Sequence, residues 1–318
     1  MVARPAASMT RQRLLEALEQ IKLWTRGGDR APHKPLLLLL AFGRVRREQH
    51  RLASYAQDIE EPLKKLLKEF APSRKVLHPE NPFWHLQTDG LWELAGDATL
   101  TVEPRRSATR SALVKHNISG GLPEALYRLL RRDSRLVREA TALLLDKHFP
   151  PSMHDAIREQ VGLPRDSTAV ARERETLAGR RQRDPDFRDA VLRAYERRCT
   201  VCDFDLRIAD TSFGLEAAHI RWHSHDGPDL VPNGLALCAF HHKAFDRGVI
   251  GLEQESGQYR LLVSNELSGQ SPAFSEVLDL RGKPLRPPQE EDLQPAVEYV
   301  KWHRRQVFKG EPRSRPGR

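Results

Sequence analysis

The sequence holds three cysteines in 318 residues, and all three lie between positions 199 and 238. So few, so clustered, read as metal ligands in a reducing compartment and not as a disulfide framework. Long apolar runs are also missing. The longest, Leu36 to Phe42, covers seven residues, far short of the ~20 needed to cross a bilayer. The N-terminus lacks a charged-then-apolar leader pattern, so a cytoplasmic protein is expected. No internal repeat and no low-complexity tract is present. Acidic residues are outnumbered, 43 Asp+Glu against 52 Lys+Arg, for a net charge of +9. Arginine is spread along the chain, which fits a polyanionic partner such as nucleic acid.

With 39% apolar residues, the length suits about two domains. Residues 1–9 read as a disordered tail. Thr10 can cap a helix whose apolar positions are Leu14, Leu18 and Ile21. Residues 26–35 form a turn-rich basic loop feeding Leu36–Leu40, a buried helix with Pro35 in its first turn. Asp58 and Glu61 read as a capping pair for a helix to Phe70. Residues 78–94, mixing prolines and aromatics, read as hairpin-like. Three helices follow, Pro123–Arg132, Ser134–His148 and Ser152–Val161, the last stopped by Gly162. The expected first domain is 10–164.

Residues 165–183 carry six arginines and little periodic apolar content, and read as a basic linker. A second domain is expected over 184–308, with a basic tail at 309–318. Asp184 and Pro185 start a helix carrying Phe187, Val191, Leu192 and Tyr195. After Gly248, Val249–Leu252 and Tyr259–Val263 read as strands around a turn. A last helix is expected over Glu290–Phe308.

The chemistry concentrates in Cys199 to Gly248. Cys199 and Cys202 form one knuckle, and Cys238 with His241 repeats its spacing. Four N/S ligands of this kind make a closed tetrahedral zinc site. A closed site does no chemistry, so the reacting groups must lie between its halves. Glu216–Ile220 reads as a strand bearing His219. A polar connection follows, in which His223 and His225 read as loop residues and Trp222 as packing. Asn233-Gly234 then enters a second strand to Cys238, and Phe240–Arg247 reads as a helix.

Strand, loop, strand and helix with His, Asn and His in that order resemble the ββα-metal finger of HNH endonucleases. The resemblance implies a general base at His219, a loop-bracing Asn233 and an ion ligand at His242, with Mn²⁺ or Mg²⁺ as the ion. A neutral His can take the proton from water while a divalent cation steadies the developing charge. Many members carry Asp or His just before the base, where this chain has Ala218. Either another carboxylate substitutes or fewer protein ligands hold the ion. Asp246, one turn beyond His242, is the first candidate, and Glu216 the second.

The N-terminal half is similar to the sulfur-binding domain of McrA-type, phosphorothioation-dependent restriction endonucleases. The carrying segments are residues 31–39 (APHKPLLLL), 81–86 (NPFWHL), 117–123 (NISGGLP), 148–150 (HFP) and 161–163 (VGL). The fold implied is α+β: a mainly helical N-terminal domain with a small β element, then a ββα-metal domain with a zinc knuckle.

The partner implied is double-stranded DNA in which sulfur replaces a non-bridging phosphate oxygen. Sulfur is larger and more weakly hydrated than oxygen, so a shallow apolar dimple costs it less desolvation. His78 and Pro79 are the expected wall. Arg30, His33 and Lys34 are expected over the modified linkage, Arg105 and Arg106 on the backbone, and His116 with Asn117 on base edges or phosphate. Cutting both strands with single-site modules implies a homodimer, working at the bacterial nucleoid. Two other readings stay open. One is a reader that does not cut. The other is an HNH enzyme for a methylated base, which would need an aromatic cage that this chain scarcely offers outside Phe83-Trp84.

Overall fold

In the computed structural model the chain divides into two compact units, the first running to Arg165 and the second following it. The structure describes residues 9–26, 29–72, 76–96, 107–165, 185–209 and 211–314, without the side chains of 26, 29, 30 and 185. Mixed helix and strand run through both units, with helices dominating the first.

The first unit is built around one helix. After α1 (Arg11–Glu19) and a short hairpin, β1 (Thr25–Arg26) with β2 (Asp29–Arg30), comes α2 (His33–Arg46). Leu36 to Phe42 and Val45 of α2 are all buried, as befits a helix apolar on every face. Around it pack α3 (Glu60–Phe70), α4 (Glu80–His85), α6 (Glu124–Arg132), α7 (Ser134–His148) and α8 (Pro151–Val161). α5 (Arg110–Lys115) leads into the central strand of a three-stranded antiparallel sheet, ordered β3 (Leu52–Ser54), β5 (Ser119–Gly121), β4 (Glu93–Ala95). Gly120 is required in β5, because a Cβ there would lie 2.5 Å from the Trp92 indole nitrogen and 2.8 Å from the Phe83 ring.

Three local expectations are corrected. Residues 78–94 are not hairpin-like: α4 and a 3₁₀ turn, Leu86–Asp89, precede the single strand β4. Phe83 drives this, wedging against Tyr55 and Trp92 at ring separations of 5.0 and 5.7 Å. The cap before α3 lies one turn earlier than Asp58–Glu61. The Gln57 amide donates to the Ser54 hydroxyl, and the Asp58 carboxylate accepts from the Ser54 amide. Residues 55–59 consequently form a π-helical turn leading into α3. In the second unit, Pro295 divides the expected 290–308 helix into a 3₁₀ turn, Glu291–Leu293, and a helix, Val297–Gln306. A proline inside a helix removes an amide donor and clashes with the preceding turn.

The second unit starts with α9 (Pro185–Ala194), whose Phe187, Val191 and Leu192 are buried with Tyr195 just beyond. A short hairpin, β6 (Arg207–Ile208) with β7 (Thr211–Ser212), precedes the hairpin that forms the site. That hairpin pairs β8 (Leu215–His219) with β9 (Gly234–Cys238), so His219 stands opposite Gly234. α9 lies close against it, and a Cβ at Gly234 would meet Val191 at 2.4 Å. α10 (Ala239–Asp246) follows directly. β10 (Ile250–Glu255) and β11 (Gln258–Val263) pair through a turn in which Ser256 and Gly257 are left-handed. α11 (Pro272–Leu278) and α12 (Val297–Gln306) complete the unit, α12 packing on β10.

Candidate active site and DNA-reading surface

Cys199, Cys202, Cys238 and His241 come together, with their ligand atoms all within 4.8 Å of one another. The first two lie beyond the end of α9, Cys238 ends β9, and His241 sits in the first turn of α10. Cys238 Sγ is 3.2 Å and Cys199 Sγ 3.6 Å from His241 Nδ1, and Cys202 Sγ is 4.0 Å from Cys238 Sγ. A tetrahedral zinc with ordinary bond lengths needs edges of about 3.8 Å between sulfurs and about 3.5 Å from sulfur to nitrogen. The three thiols form no disulfide. Contacts from Cys199 and Cys202 drive the Cys238 thiol well down. Burial opposes a charged His241, but Cys199 and Cys238 outweigh it and push its pKa up to about 9. Such a cluster fits a cation able to take thiolates.

His219 and Glu216 leave β8 towards different neighbours. The His219 ring stacks on Phe187 of α9 with centroids 4.3 Å apart and planes 19° from parallel. Its Nε2 lies 2.6 Å from Asp229 Oδ1, a residue that sequence reasoning passed over. Glu216 faces α10, with Oε2 2.5 Å from His242 Nδ1. On the other edge of that ring, Nε2 lies 3.2 Å from Asp246 Oδ2. Glu216 is half exposed, whereas Asp246 is buried. Burial disfavours a charged His242, but Asp246 and then Glu216 outweigh it and push its pKa up to about 9. Two carboxylates thus flank this ring, an arrangement that suits a cation. Ala218 is fully buried, and Glu216 shares its face of the strand two residues back.

Asn233 is buried and its amide is fully used. Nδ2 donates to the carbonyls of Arg221 and Pro228 at 3.0 and 2.9 Å, and Oδ1 accepts the Arg221 amide at 2.8 Å. These bonds tie both ends of the loop between the strands. Trp222 packs as expected, edge-on to Trp302 at 5.6 Å. His225 departs from its reading as a polar loop residue: it is buried between those two indoles.

In the first unit the expected DNA-contact residues occupy helix ends and loops. His78 is exposed, with Nδ1 2.8 Å from Glu80 Oε1, and Pro79 is buried at the N-cap of α4. Lys34, in the first turn of α2, is mostly buried, its Nζ 2.5 Å from Asp89 Oδ2. Asp89 also accepts the backbone amide of Lys22 at 3.1 Å. His33 opens α2, and Arg30 pairs with Thr25 across the β1–β2 hairpin. His116 caps the end of α5, and Asn117 is exposed in a left-handed conformation, φ 47°. Arg105 and Arg106 lie outside the described residues.

Residues 11–166 match the ScoMcrA-like DNA sulfur-binding domain family, and residues 199–253 match an HNH endonuclease family. The chain joins a ScoMcrA-like sulfur-binding domain to an HNH endonuclease domain. It therefore carries a DNA reader and a DNA endonuclease module. The sulfur-binding domain of ScoMcrA, solved with phosphorothioated DNA, is 26% identical over 47% of this chain and 94% of that one, at a TM-score of 0.40. The corresponding SprMcrA complex is 25% identical, over 49% and 95%, at 0.40. The type IV phosphorothioation-dependent restriction endonuclease ScoMcrA is 25% identical over 51% of this chain, at 0.40, and this chain covers 30% of its length. Comparison with curated proteins returns no match. Among the described residues, no helix is long and apolar enough to cross a membrane.

Proposed function

We propose that the protein is a restriction endonuclease that recognises phosphorothioate-modified double-stranded DNA through residues 10–164 and hydrolyses phosphodiester bonds nearby through residues 184–308. The observation that carries this reading is the presence, in one chain, of a DNA sulfur-binding domain and an HNH domain, and it is supported by the contacts of His219 with Asp229, of Asn233 with Arg221 and of His242 with Glu216.

In this reading Cys199, Cys202, Cys238 and His241 hold a structural zinc. His219 is the general base that takes a proton from the attacking water. Asn233 holds the loop over the site. His242 Nδ1 and Glu216 hold the catalytic ion, Mn²⁺ or Mg²⁺, while Asp246 fixes the His242 ring through Nε2. That reverses the sequence ranking of the two carboxylates. The support is that Asp246 is buried on the far edge of the ring, where a partner orients a ligand. The bound ion would supply charge stabilisation at the reacting phosphate and the departing oxygen.

On the reading surface, His78 and Pro79 line the sulfur dimple. Arg30 and His33 flank the modified linkage, with Lys34 anchored beside them through Asp89. His116 and Asn117 meet bases or phosphate, and Arg105 and Arg106 meet the backbone. Two copies act together, one per strand, in the cytoplasm at the nucleoid.

The test is cleavage of matched duplexes, phosphorothioated in the Rp configuration or unmodified, with Mn²⁺ or Mg²⁺ and a His219→Ala control. Cutting confined to modified DNA and abolished in the control is the expected result. Equal cutting of both duplexes would leave the endonuclease but remove the sulfur requirement. Binding of the modified duplex without cutting under either ion would make the protein a reader alone.

A further inference from the structure

Among the described groups against the His219 ring are Phe187 from α9, His223 from the 223–225 turn at 6.1 Å, and Asp229 from the loop. Of these, Asp229 is the carboxylate. Its Oδ1 sits 2.6 Å from Nε2, and the two side chains are 22% and 13% exposed, so water competes weakly for the contact. Asp229 is itself held in place. The Asn233 amide grips the Pro228 carbonyl immediately before it, and the Gly227 amide donates to Trp222 at 3.0 Å. The Asn233 brace thus reaches the base through the loop and this carboxylate.

We propose that Asp229 is a positioning residue that sets the tautomer and orientation of His219. A carboxylate beside Nε2 keeps the proton on that nitrogen, which leaves the lone pair of the neutral ring on Nδ1. Nδ1 then takes a proton from water as the water oxygen bonds to phosphorus. The bond from phosphorus to the departing sugar oxygen breaks, its electron pair leaves on that oxygen, and the oxygen takes a proton from solvent. The Asp229 carboxylate steadies the imidazolium that forms. This inference rests on the reading of His219 as the general base.

The experiment measures single-turnover cleavage of the phosphorothioated duplex with Mn²⁺ across pH. It uses full-length wild type, Asp229→Ala, Asp229→Asn, Asp229→Glu and His219→Ala, with zinc content and DNA affinity measured on each. Asp229→Ala and Asp229→Asn should cleave about 10- to 1,000-fold more slowly, with zinc and DNA affinity unchanged. Their acidic limb should move to lower pH by about one unit or more, because losing the carboxylate makes the ring a weaker base. Asp229→Glu should restore part of both effects. A wild-type rate in both variants, or a slower rate with the limb unmoved, overturns the proposal. Loss of zinc or DNA affinity in both overturns it too, since Asp229 would then be structural. Cleavage by His219→Ala removes a different claim, the base itself.

Discussion

In the HNH unit, groups proposed to meet a reacting atom or an ion are held by elements a few residues long. β8 carries Glu216 and His219, β9 ends in Cys238, and α10 brings His241 and His242. In the sulfur-binding unit the polar residues proposed to face DNA sit at helix ends and hairpins, and one of them, Lys34, is already committed to Asp89. The difference follows from the tasks. Coordination and proton transfer fix atoms to within fractions of an ångström, so their residues recur at rigid spacings. Recognition of a modified backbone uses shape and a broad field of charge, which many sequences can supply.

The largest expected effect breaks one unit and spares the other. Cys199→Ser should unfold the HNH unit, since the proposed structural zinc would supply about 10–16 kcal/mol, as in small zinc modules, and the sulfur-binding unit should keep its own melting transition. A single transition lost in both units would contradict separate folding. Calorimetry of wild type and variant distinguishes the two.

A smaller effect is a pH slope confined to the HNH unit. His303 is buried, stacked on Phe245 at 3.7 Å with Nε2 3.0 Å from its carbonyl. Burial pushes its pKa down to about 4 from the ordinary 6.5. Its contribution is therefore whole above pH 6.5 and falls as pH drops towards 4, by about 3 kcal/mol. Urea unfolding of wild type against His303→Gln, at pH values spanning that window, should show the slope in the wild type alone.

On the other side, Asp89→Ala should cost the sulfur-binding unit about 2 kcal/mol, because it strands the mostly buried Lys34 ammonium and the Lys22 amide. The HNH transition should not move. Smallest is Thr10→Ala, which removes the acceptor for the Arg13 amide and should cost about 1 kcal/mol. Both are read by the midpoint of the first unit's unfolding.

How much of this was legible in the chain follows the same division. The Cys199, Cys202, Cys238 and His241 spacing announced its cluster because a tetrahedral ion admits few alternatives. The α2 core was legible from Leu36–Phe42 alone. α4 was hidden because Asn81-Pro82-Phe83-Trp84 lacks a helical pattern, and the burial of Phe83 against Tyr55 and Trp92 overrode local propensity. Asp229 was hidden because its partner is ten residues away across an irregular loop, and no periodicity marks such a contact. The contact of Asp246 with His242 follows from helical spacing, whereas the contact of Glu216 with His242 crosses elements and has no spacing rule.

In the proposed function, selection and cutting belong to different units of one chain. The most direct test titrates the His219→Ala protein against Rp-phosphorothioated and unmodified duplexes of one sequence, following binding and cleavage together. Preferential binding of the modified duplex, with no cutting of either, is the expected result. Equal affinity for the two duplexes, or residual cutting at the wild-type rate, would contradict it.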